Sequence, residues 1–279
     1  MDTEISAENA ERLRNFEREG HDALAESYHD FFSPVTQLAI EPLLRAVHLA
    51  PGMRLLDVAT GPGTLTAEAA RRGAQVIGVD LAPKMVALAR RLHPGIDFRE
   101  ADIEQLPFAA GAFSAVCCGF ALGHIPRPEV SLAECMRVLE PGGRIAFSWW
   151  DDPSRQRIQG VFREALTEQR VAPPSGAPQG HDIFRFSDRA AFEGLLRDAG
   201  LAEVRVDDHN AVSTFADADT VWRGGLGSFV LTGAMIKGQD TAMQKAIRTA
   251  FDRLIRRYAT ADGVALPVAF KVGSGRKEA

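Results

Sequence analysis

Short apolar runs alternate with amphipathic segments between residues 53 and 150, and this alternation restricts the fold more than any other feature of the sequence. Most apolar runs are bounded by glycine or proline, which is typical of buried strands, and the amphipathic segments place their apolar residues on one helical face. Predicted strands cover 53–59, 74–80, 96–101, 113–120 and 144–150, and predicted helices cover 64–72, 83–92 and 130–139. Such alternation specifies a parallel sheet with helices on both faces. We therefore predict an α/β, doubly wound, Rossmann-like sheet.

The sequence on either side of this block predicts helical additions to the sheet. Residues 7–32 indicate one or two amphipathic helices, and residues 217–258 indicate two or three more. A strand predicted over 264–272 contains Pro267, which favours an edge position or a bulge. Residues 171–180 are rich in proline and glycine and predict a mobile loop. The expected organisation is an N-terminal helical cap (1–50), an α/β core (51–210), a helical lid insertion (211–262) and the final strand of the core sheet (263–279).

The composition argues against several classes of protein. Among 279 residues, 32 Lys and Arg stand against 37 Asp and Glu, and a net charge of −5 lacks the basic surface that nucleic-acid binding requires. Three cysteines without metal-ligand spacing predict neither a disulfide framework nor a metal site. The most apolar stretch, 112–125, is shorter than the ~20 residues that span a bilayer, and the charged N-terminus is unlike a secretory signal. We expect a cytoplasmic protein that does not contact a membrane.

A glycine-bent loop follows the first predicted strand and indicates a nucleotide-type ligand. Gly61 and Gly63 let the backbone approach a ligand closely, and the following helix offers unpaired N–H groups. Asp80 ends the next strand, where a carboxylate can accept both hydroxyls of a ribose. A dinucleotide site would have a small residue at the position of Thr66, and Asp57 would repel a diphosphate but attract an ammonium group. These two residues favour a zwitterionic nucleoside.

Four blocks of sequence, in this order, resemble the class I S-adenosylmethionine-dependent methyltransferases, especially the small-molecule branch of ubiquinone and menaquinone biosynthesis. The blocks are the glycine loop at 55–63, the strand end at 76–80, the segment at 101–108 and the turn at 137–143. Ala59 replaces the first glycine of the family's loop, and alanine is the next smallest residue. The resemblance covers residues 28–150 well and the later strands loosely. It implies that S-adenosyl-L-methionine is the cofactor.

The resemblance also implies roles for individual residues. Asp57 would order the loop and, directly or through water, the methionine amino group. The backbone at Ala59, Gly61 and Gly63 would line the amino-acid moiety. The remaining implied cofactor contacts are Asp80 with the ribose, Leu81 and Met85 with the adenine, Asp102 and the Ile103 N–H with the adenine edge, and Phe120 and Ala121 with the sulfonium. Tyr28 either touches the cofactor carboxylate or anchors the N-terminal helix.

His124 is the candidate catalytic residue. A sulfonium already activates the methyl group, so the protein mainly aligns the reactants and excludes water, and no metal is required. His124 follows the fourth strand at the expected cleft, and its ordinary pKa near ~6.5 suits a general base for a hydroxyl nucleophile. The other interpretation is a loop histidine that bonds the backbone or contacts the cofactor.

Apolar side chains outside the sheet predict the acceptor site. Trp149 and Trp150 would either wall an apolar pocket or pack in the core. The inserted helices carry further large apolar residues, namely Val221, Trp222, Leu226, Phe229, Val230, Leu231, Met235 and Ile236. Together with the N-terminal helix they would roof the cleft over an apolar small molecule, although a homodimer interface would use the same composition.

Three functions fit these features. The first is S-adenosylmethionine-dependent transfer of a methyl group to an O, C or N atom of a small, apolar metabolite. The second is a protein that binds the cofactor without methylating, as a cyclase or a regulatory module. The third, a nicotinamide oxidoreductase, is disfavoured by Asp57 and Thr66.

Overall fold

The computed structural model describes residues 5–174, 178 and 180–278. The strands are β1 (Arg54–Val58), β2 (Gln75–Asp80), β3 (Asp97–Glu100), β4 (Phe113–Gly119), β5 (Leu139–Trp150), β6 (Leu201–Phe215), β7 (Ala259–Thr260) and β8 (Gly263–Lys277). They form a sheet in the order β3-β2-β1-β4-β5-β8-β6, with β7 paired to β8. Strands β1 to β5 run parallel, whereas β8 is antiparallel to both β5 and β6. The predicted α/β, doubly wound sheet is confirmed.

The helices connect these strands and extend the fold at the N-terminus and before β8. They are α1 (Ala7–Phe31), α2 (Ser33–Thr36), α3 (Ile40–Ala46), α4 (Thr64–Arg71), α5 (Pro83–Leu92), α6 (Pro128–Val138), α7 (Arg157–Glu168), α8 (Arg189–Asp198), α9 (Ala218–Leu226), α10 (Val230–Lys237) and α11 (Thr241–Ile255). Ser6 caps α1 by accepting a hydrogen bond from the Asn9 N–H at 3.2 Å. Helix α1 contacts α5, α9 and α10, so it bridges the core and the inserted helices.

The central strands explain why the sequence shows continuous apolar runs. In β1, Leu55, Leu56 and Val58 are fully buried, and the adjacent β4 buries residues 115–118. Strands that are covered on both faces need no polar alternation. The strand order reverses between β1 and β4, and this reversal opens a crevice at their carboxyl ends.

The last strand shows how a proline is accommodated within the sheet. Pro267 pairs with Val212 of β6, while β5 pairs with β8 only over residues 270–276. The β5 side of Pro267 therefore has no ladder partner in the described register, and the missing N–H leaves no sheet hydrogen bond unmade. The predicted edge position holds locally, although β8 as a whole lies between two strands.

The turn predicted within 137–143 does not precede the fifth strand, because that strand already begins at Leu139. The register of β5 against β4 shifts between Phe113 and Ala115, so residues 140–143 bulge out of the ladder. Gly142 has a φ of 80° there.

Other element boundaries also differ from the sequence prediction. β6 runs from Leu201 to Phe215 and crosses the boundary expected at residue 210 between the core and the lid insertion, because it pairs with β8 along most of its length. Residues 211–215 are therefore strand, and the first inserted helix starts at Ala218. Of the loop predicted at 171–180, residues 175–177 and 179 lie outside the described residues. Across the described ranges, the helices lack the length and apolar character needed to cross a membrane.

Candidate active site

The loop after β1 turns sharply through several left-handed residues. Gly61 and Gly63 have φ angles of 54° and 82°. A Cβ on Gly63 would lie 2.6 Å from Cζ of Phe98, so this position also requires glycine for close packing. Ala59 has a φ of 54°, a conformation that costs an L-residue about 1–2 kcal/mol. The replacement of glycine by alanine at residue 59 therefore adds backbone strain, and the small size of alanine does not remove it.

Asp57 lies behind this loop and holds it together. Its Oδ2 accepts hydrogen bonds from the hydroxyls of Thr60 and Thr66, both at 2.6 Å. The side chain is buried, and this burial raises its pKa from 3.8 to about 6, against the opposing effect of the two hydroxyl donors. Thr66, which in the sequence serves only to argue against a dinucleotide, is thus a structural partner of Asp57.

Asp80 connects the end of β2 to the same loop. Its Oδ2 accepts the Gly61 N–H at 2.8 Å, and its Oδ1 accepts the Ala82 N–H at 2.9 Å. Burial raises the pKa of the carboxyl group, while these two N–H donors oppose the increase. Each oxygen retains a lone pair for a further donor, as recognition of two ribose hydroxyls requires.

Asp102 lies in a network of ion pairs that reaches helix α1. Its Oδ2 is 2.7 Å from Nε of Arg14, and its Oδ1 accepts the Glu104 N–H at 2.9 Å. The largely buried carboxylate of Glu104 pairs in turn with Arg14 and Arg127. The sequence did not indicate Arg14 or Glu104, because nothing local shows that α1 docks against the segment after β3.

These elements surround one cavity. The half of it at the carboxyl ends of the parallel strands is where the sequence predicts the cofactor, and it is called the cofactor half; the rest is called the acceptor half. The predicted site residues that line the cavity are Tyr28, Ala59, Gly61, Asp80, Leu81, Met85, Asp102, Ile103, Phe120, Ala121 and His124. Two predicted residues do not line it. Asp57 faces a smaller cavity behind the loop, and Gly63 packs against Phe98 and Ala89.

The acceptor half of the cavity is apolar and is built by several distant segments. It is lined by Phe32, Trp150, Ile183, Phe184, Phe229, Val230 and Leu231. Phe120 stacks on Trp150 with a centroid separation of 3.7 Å, and Phe32 meets Phe229 edge-on at 4.9 Å. Aromatic rings in these arrangements give rigid walls.

The inserted helices contribute less to this half than the sequence suggested. Only residues 229–231 of the predicted apolar set reach the cavity. Trp222 instead stacks on Phe162, and Val221 is fully buried. Trp149 is buried and donates its indole N–H to the Ile183 carbonyl at 2.8 Å.

Helix α7 adds polar side chains to the cavity wall that the sequence reasoning missed. Gln159 and Arg163 both line the cavity. The Arg163 guanidinium lies over the Phe184 ring at 4.4 Å from its centroid, and desolvation lowers its pKa against the attraction of Asp182 and Asp152. Gln159 and Arg163 are four residues apart and therefore share one face of the helix, but the sequence does not show which way that face points.

His124 meets two residues of α1 at the cavity wall. Oε2 of Glu17 lies 3.1 Å from Nδ1 of His124 and 3.4 Å from Nε2 of His21. Burial alone would raise the pKa of Glu17, but its attraction to the two imidazoles outweighs burial and brings the pKa to about 2. Burial of the His21 imidazole acts to lower its pKa, but the contact with Glu17 outweighs burial and raises the pKa. The sequence analysis singled out neither Glu17 nor His21.

Comparisons with known proteins identify the family. A family model described as a methyltransferase domain matches residues 56–147. The demethylmenaquinone methyltransferase of Beutenbergia cavernae is 31% identical over 185 residues, which cover 62% of this chain and 77% of that protein. The chain belongs to the class I S-adenosylmethionine-dependent methyltransferases. The ubiquinone biosynthesis O-methyltransferase of Xanthomonas axonopodis pv. citri is 34% identical over 192 residues, or 64% of this chain and 77% of that protein.

A solved structure supports the fold of this methyltransferase. The phosphoethanolamine N-methyltransferase 2 of Haemonchus contortus, in complex with S-adenosyl-L-methionine, has a TM-score of 0.57 and covers 96% of this chain and 60% of that chain. At 17% identity the likeness shows the fold alone. The family and the enzyme class that the four sequence blocks predicted are confirmed, and no comparison favours a member that binds the cofactor without methylating.

Proposed function

We propose that this methyltransferase binds S-adenosyl-L-methionine in the cofactor half of the cavity and methylates a small hydroxylated aromatic molecule in the acceptor half. One observation carries the proposal. A single cavity joins Asp80 and Asp102, at the ends of the parallel strands, to the aromatic walls formed by Trp150 and Phe229. Two ligands that react with each other need such a shared space.

The cofactor half fits a nucleoside that carries an amino acid. Asp80 offers two carboxylate oxygens that the loop already orients through Gly61 and Ala82, and this suits two ribose hydroxyls. Leu81, Met85 and Ile103 give apolar walls for a flat base. The Asp102 carboxylate, which already pairs with Arg14, accepts a further hydrogen bond from the edge of that base.

The buried carboxylate of Asp57 supports a cationic amino-acid group at the loop. Within the described part of the chain, two hydroxyls donate to Asp57 but no cationic side chain pairs with it, and burial of this unpaired charge raises its pKa. An ammonium group near the loop stabilises the buried charge, directly or through water. A diphosphate would destabilise it further, which opposes a dinucleotide.

The acceptor half supports an aromatic acceptor. Trp150, Phe229 and Phe32 provide flat apolar surface, while Gln159, Arg163 and His124 provide polar contacts at its margin. Two relatives are named for methyl transfer in menaquinone and ubiquinone biosynthesis, and quinol precursors combine the same two properties, a flat ring and hydroxyl groups. We extend that class of acceptor to this enzyme.

The residues of this chain have a limited but definite task in the reaction. The cofactor supplies a methyl group that its sulfonium already activates. Phe120 and Ala121 directly follow β4 and line the cavity. The left-handed backbone of Phe120 (φ 55°) is held by its N–H, which donates to the Ser148 carbonyl at 3.1 Å. This rigid corner aligns the reactants and excludes water. His124 lines the cavity close to this corner, so we expect it to act on the acceptor.

The test measures cofactor binding and product formation separately. Calorimetry with S-adenosylmethionine, S-adenosylhomocysteine and NADH should detect binding of the first two only. Incubation with S-adenosylmethionine and a panel of hydroquinones, catechols and non-hydroxylated analogues should release S-adenosylhomocysteine only with hydroxylated rings. His124→Ala should lower kcat strongly and leave cofactor affinity within a factor of about two. Binding of NADH in place of the nucleosides, or equal turnover of the analogues, would refute the proposal.

A further inference from the structure

Three side chains from separate parts of the sequence converge on the wall of the cavity. Glu17 and His21 lie one turn apart on α1, and His124 lies in the segment after β4. One ligand atom of each side chain lies within 4.8 Å of those of the other two. The three side chains are 12%, 24% and 28% exposed, so they are largely shielded but reachable from the cavity.

The contact between Glu17 and His124 has the distance of a hydrogen bond but not its alignment. Oε2 and Nδ1 are 3.1 Å apart, yet both atoms are buried and neither has a hydrogen-bond partner within the described part of the chain. Buried polar atoms are rarely left in this state. Two atoms that are close but poorly aligned for a shared proton have the orientation expected when both face a third species between them.

Two of the three spacings match neighbouring donors around a metal ion, and the third lies within 4.8 Å. Ligand bonds of about 2.0–2.1 Å place neighbouring donors about 2.9 Å apart in an octahedron and about 3.4 Å apart in a tetrahedron. The two distances from Oε2 of Glu17, 3.1 Å and 3.4 Å, lie in this interval. Two imidazoles and one carboxylate suit zinc, cobalt or iron(II), whereas magnesium and calcium prefer oxygen donors.

We propose that Glu17, His21 and His124 bind a divalent transition-metal ion of the zinc and cobalt type. With three protein ligands, the ion keeps at least one position open, as catalytic rather than structural sites do. This open position faces the cavity, because all three residues line it. The expectation from sequence that no metal-ligand spacing exists considered only local spacing, and here two ligands lie about one hundred residues from the third.

The surroundings of the three side chains favour fixed ring orientations. His21 meets the ring of Tyr28 edge-on at 6.1 Å, and His124 meets Trp149 edge-on at 5.5 Å. Trp149 is in turn fixed by its hydrogen bond to the Ile183 carbonyl. The backbone N–H of His124 donates to the Ala121 carbonyl at 2.8 Å, which fixes the backbone that carries the imidazole. Packing of this kind restricts the orientations that the two imidazoles can adopt.

The role of the ion in methyl transfer rests on the proposed function. A hydroxyl oxygen of the acceptor occupies the open position and releases its proton to solvent, because the ion stabilises the oxyanion. In the transfer, the bond from methyl to sulfur breaks, a bond from methyl to the acceptor forms, and the sulfonium becomes a neutral sulfide. The net products are methylated acceptor, S-adenosylhomocysteine and one proton. The ion then performs the task that the sequence assigned to His124 as a base.

The binding test uses metal alone and needs no cofactor. Chelator-treated full-length protein, titrated with Co²⁺, should develop a visible absorption band that saturates at one ion per chain, and Zn²⁺ should abolish the band. Glu17→Gln and His124→Ala should each weaken binding at least tenfold, with thermal melts verifying that the variants fold. Matched controls are Glu19→Gln, on the exposed side of the same helix, and His48→Gln, an exposed histidine. Absence of a saturable band, or equal affinity in Glu17→Gln, would overturn the site.

Turnover then tests the catalytic role independently of the site. Metal-free enzyme should lose at least tenfold in kcat with a hydroxylated acceptor, recover on addition of Zn²⁺ or Co²⁺, and keep its affinity for S-adenosylhomocysteine. Equal kcat with and without metal would overturn the role. If the band saturates but S-adenosylhomocysteine does not bind and no acceptor is methylated, the site stands and the proposed function fails. If the acceptor is methylated but no absorption band develops, the proposed function stands and the metal site fails.

Discussion

The two halves of the cavity differ in how their charged groups are held. In the cofactor half, Asp57 accepts two threonine hydroxyls and Asp80 accepts two backbone N–H groups, so both carboxylates are held by the chain itself. In the acceptor half, Oε2 of Glu17 and Nδ1 of His124 are buried without hydrogen bonds among the described residues. The cofactor half is preorganised, whereas the acceptor half keeps unsatisfied polar atoms that a ligand or an ion would satisfy. Substitutions in the two halves should therefore have separable effects.

The largest expected effect is that of Asp80→Ala on the cofactor half. The substitution removes the acceptor for two ribose hydroxyls, and hydrogen bonds to a charged group contribute about 1.5–3 kcal/mol each. We expect S-adenosylhomocysteine to bind at least a hundredfold more weakly, as measured by calorimetry. Binding of Co²⁺ at the other half should be unchanged.

A matched control separates this effect from loss of fold. Asp207 lies on β6 with an exposed side chain, and Asp207→Ala should leave cofactor affinity unchanged. Asp80→Ala also frees the Gly61 N–H, so its melting temperature has to be measured in parallel. A variant that melts as the wild type does but binds the cofactor normally would remove Asp80 from the site.

Asp57→Asn should weaken cofactor binding and stabilise the folded protein. The pKa of Asp57 is raised to about 6, so between about pH 4 and 6 the folded state holds a proton that the unfolded state has lost. Stability from this group is therefore greatest below about pH 4 and falls as pH rises through 6, where the buried carboxyl group ionises. An asparagine at this position carries no charge and still offers an oxygen to the threonine hydroxyls. We expect the variant to be about 1–2 kcal/mol more stable at pH 8.

Urea unfolding of Asp57→Asn and wild type at pH 4 and pH 8 measures this difference. The gain should be large at pH 8 and nearly absent at pH 4, and S-adenosylmethionine should bind more weakly because the attraction to its ammonium group is lost. A gain of equal size at both pH values would show that Asp57 does not titrate in this range.

The convergence of Asp57, Gly61 and Asp80 at one edge of the sheet could be predicted from sequence because each lies at or just after the carboxyl end of a strand. These residues occupy strand ends and a loop, and parallel strands bring such positions to one edge whatever the rest of the chain does. The backbone conformation of individual loop residues could not be predicted from residue type and spacing. By size alone Ala59 is a harmless replacement for glycine, but the structure gives it a left-handed φ. Thr66 is a misfit for a dinucleotide by its residue type, but in the structure it donates to Asp57.

The acceptor half could not be predicted because it depends on where α1 docks. Arg14 and Glu17 reach the cavity only through tertiary contacts of that helix, which no local pattern specifies. One signal was present in the sequence. Gly20 lies in the middle of α1, and a Cβ there would lie 2.2 Å from Cγ1 of Val230, so this glycine marks the close contact of α1 with α10.

Leu231→Ala tests the acceptor half with a smaller expected effect. Leu231 is partly exposed and lines the cavity at the start of α10, so its truncation enlarges the acceptor space without opening the central core. Loss of one apolar contact is expected to cost about 1 kcal/mol, which corresponds to a roughly fivefold increase in the KM for the acceptor. The affinity for S-adenosylhomocysteine should not change. Weaker binding of S-adenosylhomocysteine together with an unchanged KM for the acceptor would contradict the division of the cavity into two halves.

The smallest expected effect concerns the strain at Ala59. Ala59→Gly relieves a left-handed conformation that costs an L-residue about 1–2 kcal/mol, but glycine also gives the unfolded chain about 0.5–1 kcal/mol more entropy. We expect a net gain of about 0.5 kcal/mol, measured as a higher urea midpoint at constant m-value. Ala67→Gly is the matched control, because Ala67 lies in α4 and should lose about 1 kcal/mol. Both variants make the same chemical change in neighbouring segments of the chain, so the opposite signs isolate the backbone conformation at residue 59. Equal destabilisation of both would mean that the loop relaxes out of the left-handed region in solution, and that the cofactor half is not preorganised at this residue.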